Sequence, residues 1–123
     1  MNSREIKFRG RRSDTKEWVY GHYYVAVEGI RICHCIVENR DTKYYVDYDS
    51  IGQFTGLKDM NGKEIYEGDV VEYKNTKYKI CWSPEGMMFF AHLITKTGHF
   101  LNAERMSDCE VIGNIYQEKV IKN

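Results

Sequence analysis

Between Ile51 and Val71 the chain reads IGQFTGLKDMNGKEIYEGDVV. Four glycines (Gly52, Gly56, Gly62, Gly68) fall in this stretch, one of them in the dipeptide Asn61-Gly62. Turn residues at that density leave no room for a helix of ordinary length, and they mark where the backbone must reverse. Asn61-Gly62 is the favoured pair of a two-residue type I′ hairpin, where both central residues take positive φ. Gly52-Gln53-Phe54-Thr55-Gly56-Leu57 then reads as one arm and Glu64-Ile65-Tyr66 as the other. Gly68-Asp69 launches the next strand, with the Asp69 carboxylate capping turn amides. Gly52, Gly56, Asn61, Gly62, Gly68 and Asp69 are therefore expected to form a structural hub.

The same grammar extends in both directions. Upstream, Ile6 to Phe8 reads as a first strand and Ser13 to Lys16 as a polar turn. Trp18 to Val27 (WVYGHYYVAV) is β-branched and aromatic, with Gly21 a candidate bulge. Glu28-Gly29 turns it into a third apolar run. Strict alternation there puts Ile30, Ile32, His34 and Ile36 on one face, and Arg31, Cys33, Cys35 and Val37 on the other. Lys43 to Tyr48 is a fourth strand. Downstream, Val70 to Lys74 turns at Asn75-Thr76 into Tyr78 to Trp82. Ser83-Pro84-Glu85-Gly86 is a turn with proline at its second position. Met87 to Thr95 is a long apolar strand closed by Thr97-Gly98. One helical turn fits Asn102 to Ser107, and Cys109 to Tyr116 is a last strand.

No window of ten residues or more shows a helical period. The expected fold is mainly β, with antiparallel strands and little helix. Ten tyrosines suit half-buried strands whose hydroxyls reach an edge. Three meander strands, a helical turn and a closing strand follow the order of an SH3-like small barrel in the C-terminal half. That order concerns architecture and carries no activity. The expected organisation is a single domain with an N-terminal β subdomain over 1–50, a hairpin joint over 51–68 and the barrel over 69–123.

Lys+Arg and Asp+Glu balance at 18 each, which argues against a general polyanion binder. No apolar run approaches the roughly 18 residues a membrane-spanning helix needs. Met1 to Arg12 is polar and charged, without the apolar core of a signal peptide. A cytoplasmic location with no membrane partner is expected, and the four cysteines are expected to be reduced thiols.

Four groups of residues carry chemistry on paper. Cys33-His34-Cys35 resembles a metal fragment. Alternation sends its thiols to one strand face and His34 to the other, whereas zinc knuckles sit on turns with about two to four residues between thiols. Buried free cysteines packing as small apolar groups are the better reading, with Cys81 and Cys109 included. Asp47 and Asp49, and Glu64, Glu67 and Asp69, are paired acids of the kind hydrolases use. Caps and surface ion pairs with Lys58 and Lys63 account for them, so no catalytic residue, metal or cofactor is expected. His22, His34, His92 and His99 have no nucleophile beside them in a motif. The one functional lead is basic and aromatic interleaving. Arg9 and Arg11 belong to a basic N-terminal cluster. Lys77 and Lys79 share a hairpin with Tyr78 and Trp82, as small barrels use to stack single-stranded bases. Cross-strand tyrosine pairs and edge-guarding lysines explain the same pattern without a ligand.

Arg4 to Arg9 followed by Trp18-Val19-Tyr20-Gly21 resembles the opening of YopX-type proteins. Gly52 to Asp59, Asn61 to Val71 and the closing Val111-Ile112-Gly113-Asn114-Ile115-Tyr116 continue the likeness in order and spacing. The resemblance implies a small, largely β protein of phages and prophages with an SH3-like contribution. It brings no established activity, substrate or catalytic residue. The expected function is thus a non-enzymatic accessory protein, a protein-interaction or self-assembling β module whose partner is itself or a phage or host protein. The alternative is a nucleic-acid-binding module using Arg9, Arg11, Lys77, Lys79, Tyr78 and Trp82.

Overall fold

A computed structural model describes residues 5–83, 88–93, 100–101 and 103–116. The chain divides into two compact units, Met1–Phe54 and Thr55–Asn123. Both are antiparallel β structures.

The first unit is built from β1 (Phe8–Arg11), β2 (Trp18–Glu28), β3 (Arg31–Asn39), β4 (Thr42–Tyr45) and the start of β5 (Gly52–Lys58). They lie in the order β4-β3-β2-β1-β5. The longest pairing is the β2–β3 hairpin, which runs from His22 opposite Val37 to Glu28 opposite Arg31. Residues opposite each other share a face, so Tyr23 with Ile36, Val25 with His34 and Val27 with Ile32 form one row. The core lies on that side: Val19, Ile36 and Val46 are buried, with Phe8, Tyr23, Tyr44 and Ile51 packed on them. The alternation expected for Ile32, His34 and Ile36 is what the register shows.

Several boundaries differ from the sequence expectation. The first strand begins at Phe8, not Ile6. The hairpin turns at Gly29-Ile30, so Ile30 is a turn residue rather than a strand residue. Gly29 takes the positive φ of 66° that the reversal requires. The tyrosine-rich fourth strand stops at Tyr45, and Tyr48–Ser50 is a short 3₁₀ turn. Ser50 imposes it: its amide and hydroxyl both donate to the Asp47 carbonyl (3.0 and 2.6 Å) and its Oγ accepts from the Arg11 amide at 2.7 Å. Gly21 carries no register shift: it pairs with Phe8 at the end of the β1–β2 ladder, one residue before the β2–β3 ladder begins at His22. A shift does occur in the β3–β4 ladder, between Val37 and Asn39.

In the second unit the end of β5 pairs with β6 (Glu64–Tyr66). A five-stranded sheet follows in the order β10-β9-β8-β7-β11. Its strands are β7 (Asp69–Tyr73), β8 (Thr76–Ser83), β9 (Met88–Leu93), β10 (Phe100–Leu101) and β11 (Glu110–Asn114), with a 3₁₀ turn over Ala103–Asp108. The helical turn and the closing strand were both legible; β10 was not, because two residues carry no period. Ile65, Val71, Ile80, Ala91, Met106 and Cys109 form the buried core. Among the described strands the sheet is open, with no pairing of β10 to β11. The expected turns at Pro84 and at Thr97-Gly98 lie outside the described residues.

The central turn departs from type I′. Gly62 has φ of 80°, but Asn61 has no positive φ. The Gly62 amide donates to the Asp59 carbonyl at 3.0 Å, and the Asp59 amide to the Lys63 carbonyl at 2.8 Å. This is a longer hairpin loop with aspartate first and a left-handed glycine fourth. The two-residue turn with positive φ at both centres is instead Lys74-Asn75 (50° and 65°), joining β7 to β8. A Cβ at Gly62 would meet nothing within 4 Å. Gly62→Val is therefore expected to cost only the conformational strain of a β-branched residue at positive φ, about 1–2 kcal/mol in a urea melt. An unchanged midpoint would refute the left-handed assignment.

Candidate interaction surface

The sheet face that carries the first unit's core does not stop where the core stops. Outward along the β2–β3 hairpin the row passes from Tyr23 and Ile36 to Val25 and His34, then to Val27 and Ile32. Ile36 is fully buried, whereas Val25, Val27 and Ile32 are 49%, 73% and 67% exposed, and Ile30 at the turn is wholly exposed. β-branched residues favour this extended backbone, which explains the strand; among the described residues their side chains are left largely exposed. Glu28 and Arg31 face each other on the opposite side of the hairpin, so the apolar row carries no charge of its own.

His34 sits where covered face becomes bare face. Its Nδ1 is 2.8 Å from the Tyr23 hydroxyl, and its ring lies 4.6 Å from the exposed ring of Tyr48. It is an aromatic member of the row with a satisfied nitrogen. Cys33 and Cys35 project to the other face, opposite Ala26 and Tyr24. Thus Cys33-His34-Cys35 does not converge, and among the described residues no group of three metal-ligating side chains gathers. Cys35 and Cys109 are buried free thiols, while Cys33 and Cys81 are half-buried. Burial pushes the Cys109 thiol up to about 11, and the Cys81 thiol also rises through burial.

Beside the hairpin, a groove of about 590 Å³ is lined by Arg12, Asp14, Arg31, Ile32, Lys43 and Tyr45 among others. Its charges are mixed, and several of them are engaged by near neighbours. Arg12 Nε and Nη2 donate to the two Asp14 carboxylate oxygens at 2.9 and 2.8 Å, which holds that carboxyl below its ordinary value. The Tyr45 hydroxyl donates to Glu28 at 2.9 Å, and that bond raises the phenol's pKa.

On β8 the lysines and the aromatic residues singled out in the sequence do not share one face. Lys77 stands opposite Glu72 and Lys79 opposite Val70 on one face of the β7–β8 pair. Tyr78 stands opposite Val71 on the other and packs on the buried core. Trp82 continues that second face and meets the Phe89 ring edge-on at 4.9 Å. In the first unit, the Arg9 guanidinium is 4.8 Å from the Trp18 ring centroid and only 5% of the residue is exposed. Arg11 is half-buried with Nε 3.6 Å from Asp47.

Of the residues expected to form a hub, Asp69 accepts from the Tyr66 amide, through Oδ2, at 2.8 Å. Gly52 pairs with Arg9 in the first unit, while Gly56 and Gly68 adopt positive φ of 87° and 92°. Sequence reasoning missed Asp59. Its Oδ1 accepts from the Asn61 and Lys63 amides (2.8 and 2.9 Å), and its Oδ2 from the Val111 amide of β11 at 2.9 Å. The signal was present as aspartate at the first turn position with glycine at the fourth. The exposure of Val25, Val27, Ile30 and Ile32 was also missed, because alternation identifies a face but not whether anything lies on it.

Fold and surface together define a small antiparallel β protein that presents a bare, uncharged apolar sheet face. The YopX protein family model matches residues 7–120, and the chain belongs to that family. No curated protein matches the sequence. No helix among the described residues is long and apolar enough to cross a membrane.

Proposed function

We propose that this chain is a non-enzymatic, cytoplasmic accessory protein of a phage or prophage that acts by binding protein through the β2–β3 hairpin. The second unit, in this reading, is an SH3-like small barrel that supports the chain. The observation that carries the proposal is the row Val25, Val27 and Ile32, which continues the core face into solvent. Aliphatic side chains left in water are a cost that burial against a partner removes, at about 25 cal/mol per Å². The nucleic-acid reading gains nothing from the geometry, since Lys77 and Lys79 are on the face opposite Tyr78 and Trp82.

A photoreactive residue at position 27, compared with one at position 28 on the other face, tests the proposal inside the producing cell. Protein adducts are expected several-fold more abundant from position 27. Equal yields, or adducts to nucleic acid alone, would sink it.

A further inference from the structure

Resting on that reading, we infer that the occupant of the bare β2–β3 face is a second copy of the same chain, packed face to face about a two-fold axis. Three observations select this partner.

The first is area. Val25, Val27 and Ile32, with Ile30 at the adjoining turn, leave on the order of 400 Å² of apolar surface in water, within the range of the largest patch a monomer ordinarily carries. A standard stable interface takes about 800 Å² per partner. These four side chains supply about half of that, and exposed Tyr48, its ring tilted against His34, extends the patch.

The second is charge. The face positions Tyr23, Val25, Val27, Ile32, His34 and Ile36 include no acid and no lysine or arginine. Unlike partners are commonly chosen by complementary charge, and the row itself offers none to complement; the charged residues of the adjoining groove border it only at Ile32 and His34. A surface of its own kind fits it without repulsion, and the chain's net charge of zero adds no long-range penalty between copies. Interfaces between identical copies are accordingly the more apolar class.

The third is shape. The row lies on a regular two-stranded ribbon with no register shift between His22 and Arg31. Two such faces pack by interdigitating branched side chains across about 10 Å, as the halves of a β-sandwich do. A two-fold arrangement uses the same patch twice and closes the assembly at two copies.

Light scattering on the purified full chain, coupled to size exclusion over a concentration series, tests this. The expected mass is twice the 14.6 kDa of one chain, falling to one chain on dilution. Val27→Lys with Ile32→Lys should weaken association at least about thirtyfold and leave the far-ultraviolet spectrum and melting midpoint of the monomer intact. Val27→Glu with Ile32→Glu should do the same. Mixing the lysine chain with the glutamate chain should restore a two-chain particle that neither forms alone, and salt should dissolve it. This keeps the test clear of folding defects. A wild type that stays monomeric at every concentration overturns the second copy. If position 27 still crosslinks to a different protein in the cell, the interaction reading stands and only the choice of partner falls. A wild-type dimer indifferent to all four substitutions also overturns the inference, because its interface would lie elsewhere.

Discussion

Gly21→Ala is expected to destabilise the first unit by about 3 kcal/mol or more, toward the limit of what overpacking costs. A Cβ built at Gly21 would stand 2.1 Å from the Val37 carbonyl oxygen and 3.1 Å from the Glu38 Cα. Both are backbone atoms of β3, so no side-chain rotation relieves the contact. The strands cannot separate either. Val37 pairs with His22 on one side and Lys43 on the other, and the irregularity between Val37 and Asn39 fixes the backbone there. Relief therefore requires breaking the β2–β3 ladder, on which the burial of Ile36 depends. The loss is a large part of the roughly 5–15 kcal/mol that holds a domain folded. Urea unfolding followed by Trp18 fluorescence, in a Trp82→Phe background, reads the first unit. Gly29→Ala is the control. Its Cβ would meet nothing within 4 Å, and it should cost only about 1–2 kcal/mol for positive φ. Equal effects at the two glycines would refute the close approach.

That contrast shows what a single sequence does and does not disclose. Gly21 was visible as a glycine inside a strand pattern, and a bulge is the commonest local reason for one. The actual reason is the Val37 backbone, 16 positions on, which no local pattern contains. The antiparallel β class, most strands and the helical turn near Ala103 were legible, because alternation and turn chemistry are local. Asn61-Gly62 misled for a related reason. The dipeptide favours type I′, but Asp59 offers its carboxylate to the Asn61 and Lys63 amides and draws the chain into a different turn. Lys74-Asn75 lacks glycine yet takes the two-residue form, since β7 and β8 leave two residues to reverse in.

The site was legible only in part. Alternation grouped Ile32, His34 and Ile36 correctly. Which of them is covered depends on where β1 and β4 end relative to the hairpin, and strand ends are set by tertiary bonds such as those of Ser50. Lys77 to Trp82 looked like one interleaved surface because period two was read along the chain rather than across it. Adjacent positions on a strand face opposite ways, so interleaving in sequence is separation in space.

Asp59→Ala is expected to be the most damaging single change in the second unit. The residue is 6% exposed, and its carboxylate accepts three backbone N–H bonds. Two hold the turn between β5 and β6; the third reaches Val111, 52 positions on, and ties that turn to β11. Hydrogen bonds to a charged acceptor contribute about 1.5–3 kcal/mol each and are not additive. A total loss near 4 kcal/mol is expected, because three amides lose their acceptor and the Val111 link goes with them. Asp59→Asn discriminates packing from charge. Its single carbonyl serves the Asn61 and Lys63 amides, but its NH₂ then faces the Val111 amide, donor against donor. It should recover less than half of the loss. The pH dependence follows from the same geometry. Burial by itself raises the Asp59 carboxyl; the amides of Val111, Lys63 and Asn61 and the charge of Lys63 outweigh it and hold the carboxyl below its ordinary value. A depressed folded pKa means the unfolded chain takes up its proton first as pH falls. The contribution is thus full above the ordinary aspartate value of about 3.9 and is lost as pH drops through the lower folded value. Wild type should lose more stability between about pH 5 and pH 2 than Asp59→Asn, which has nothing to protonate at that position. Parallel stability curves for the two proteins would show that the carboxylate does not carry the link to β11.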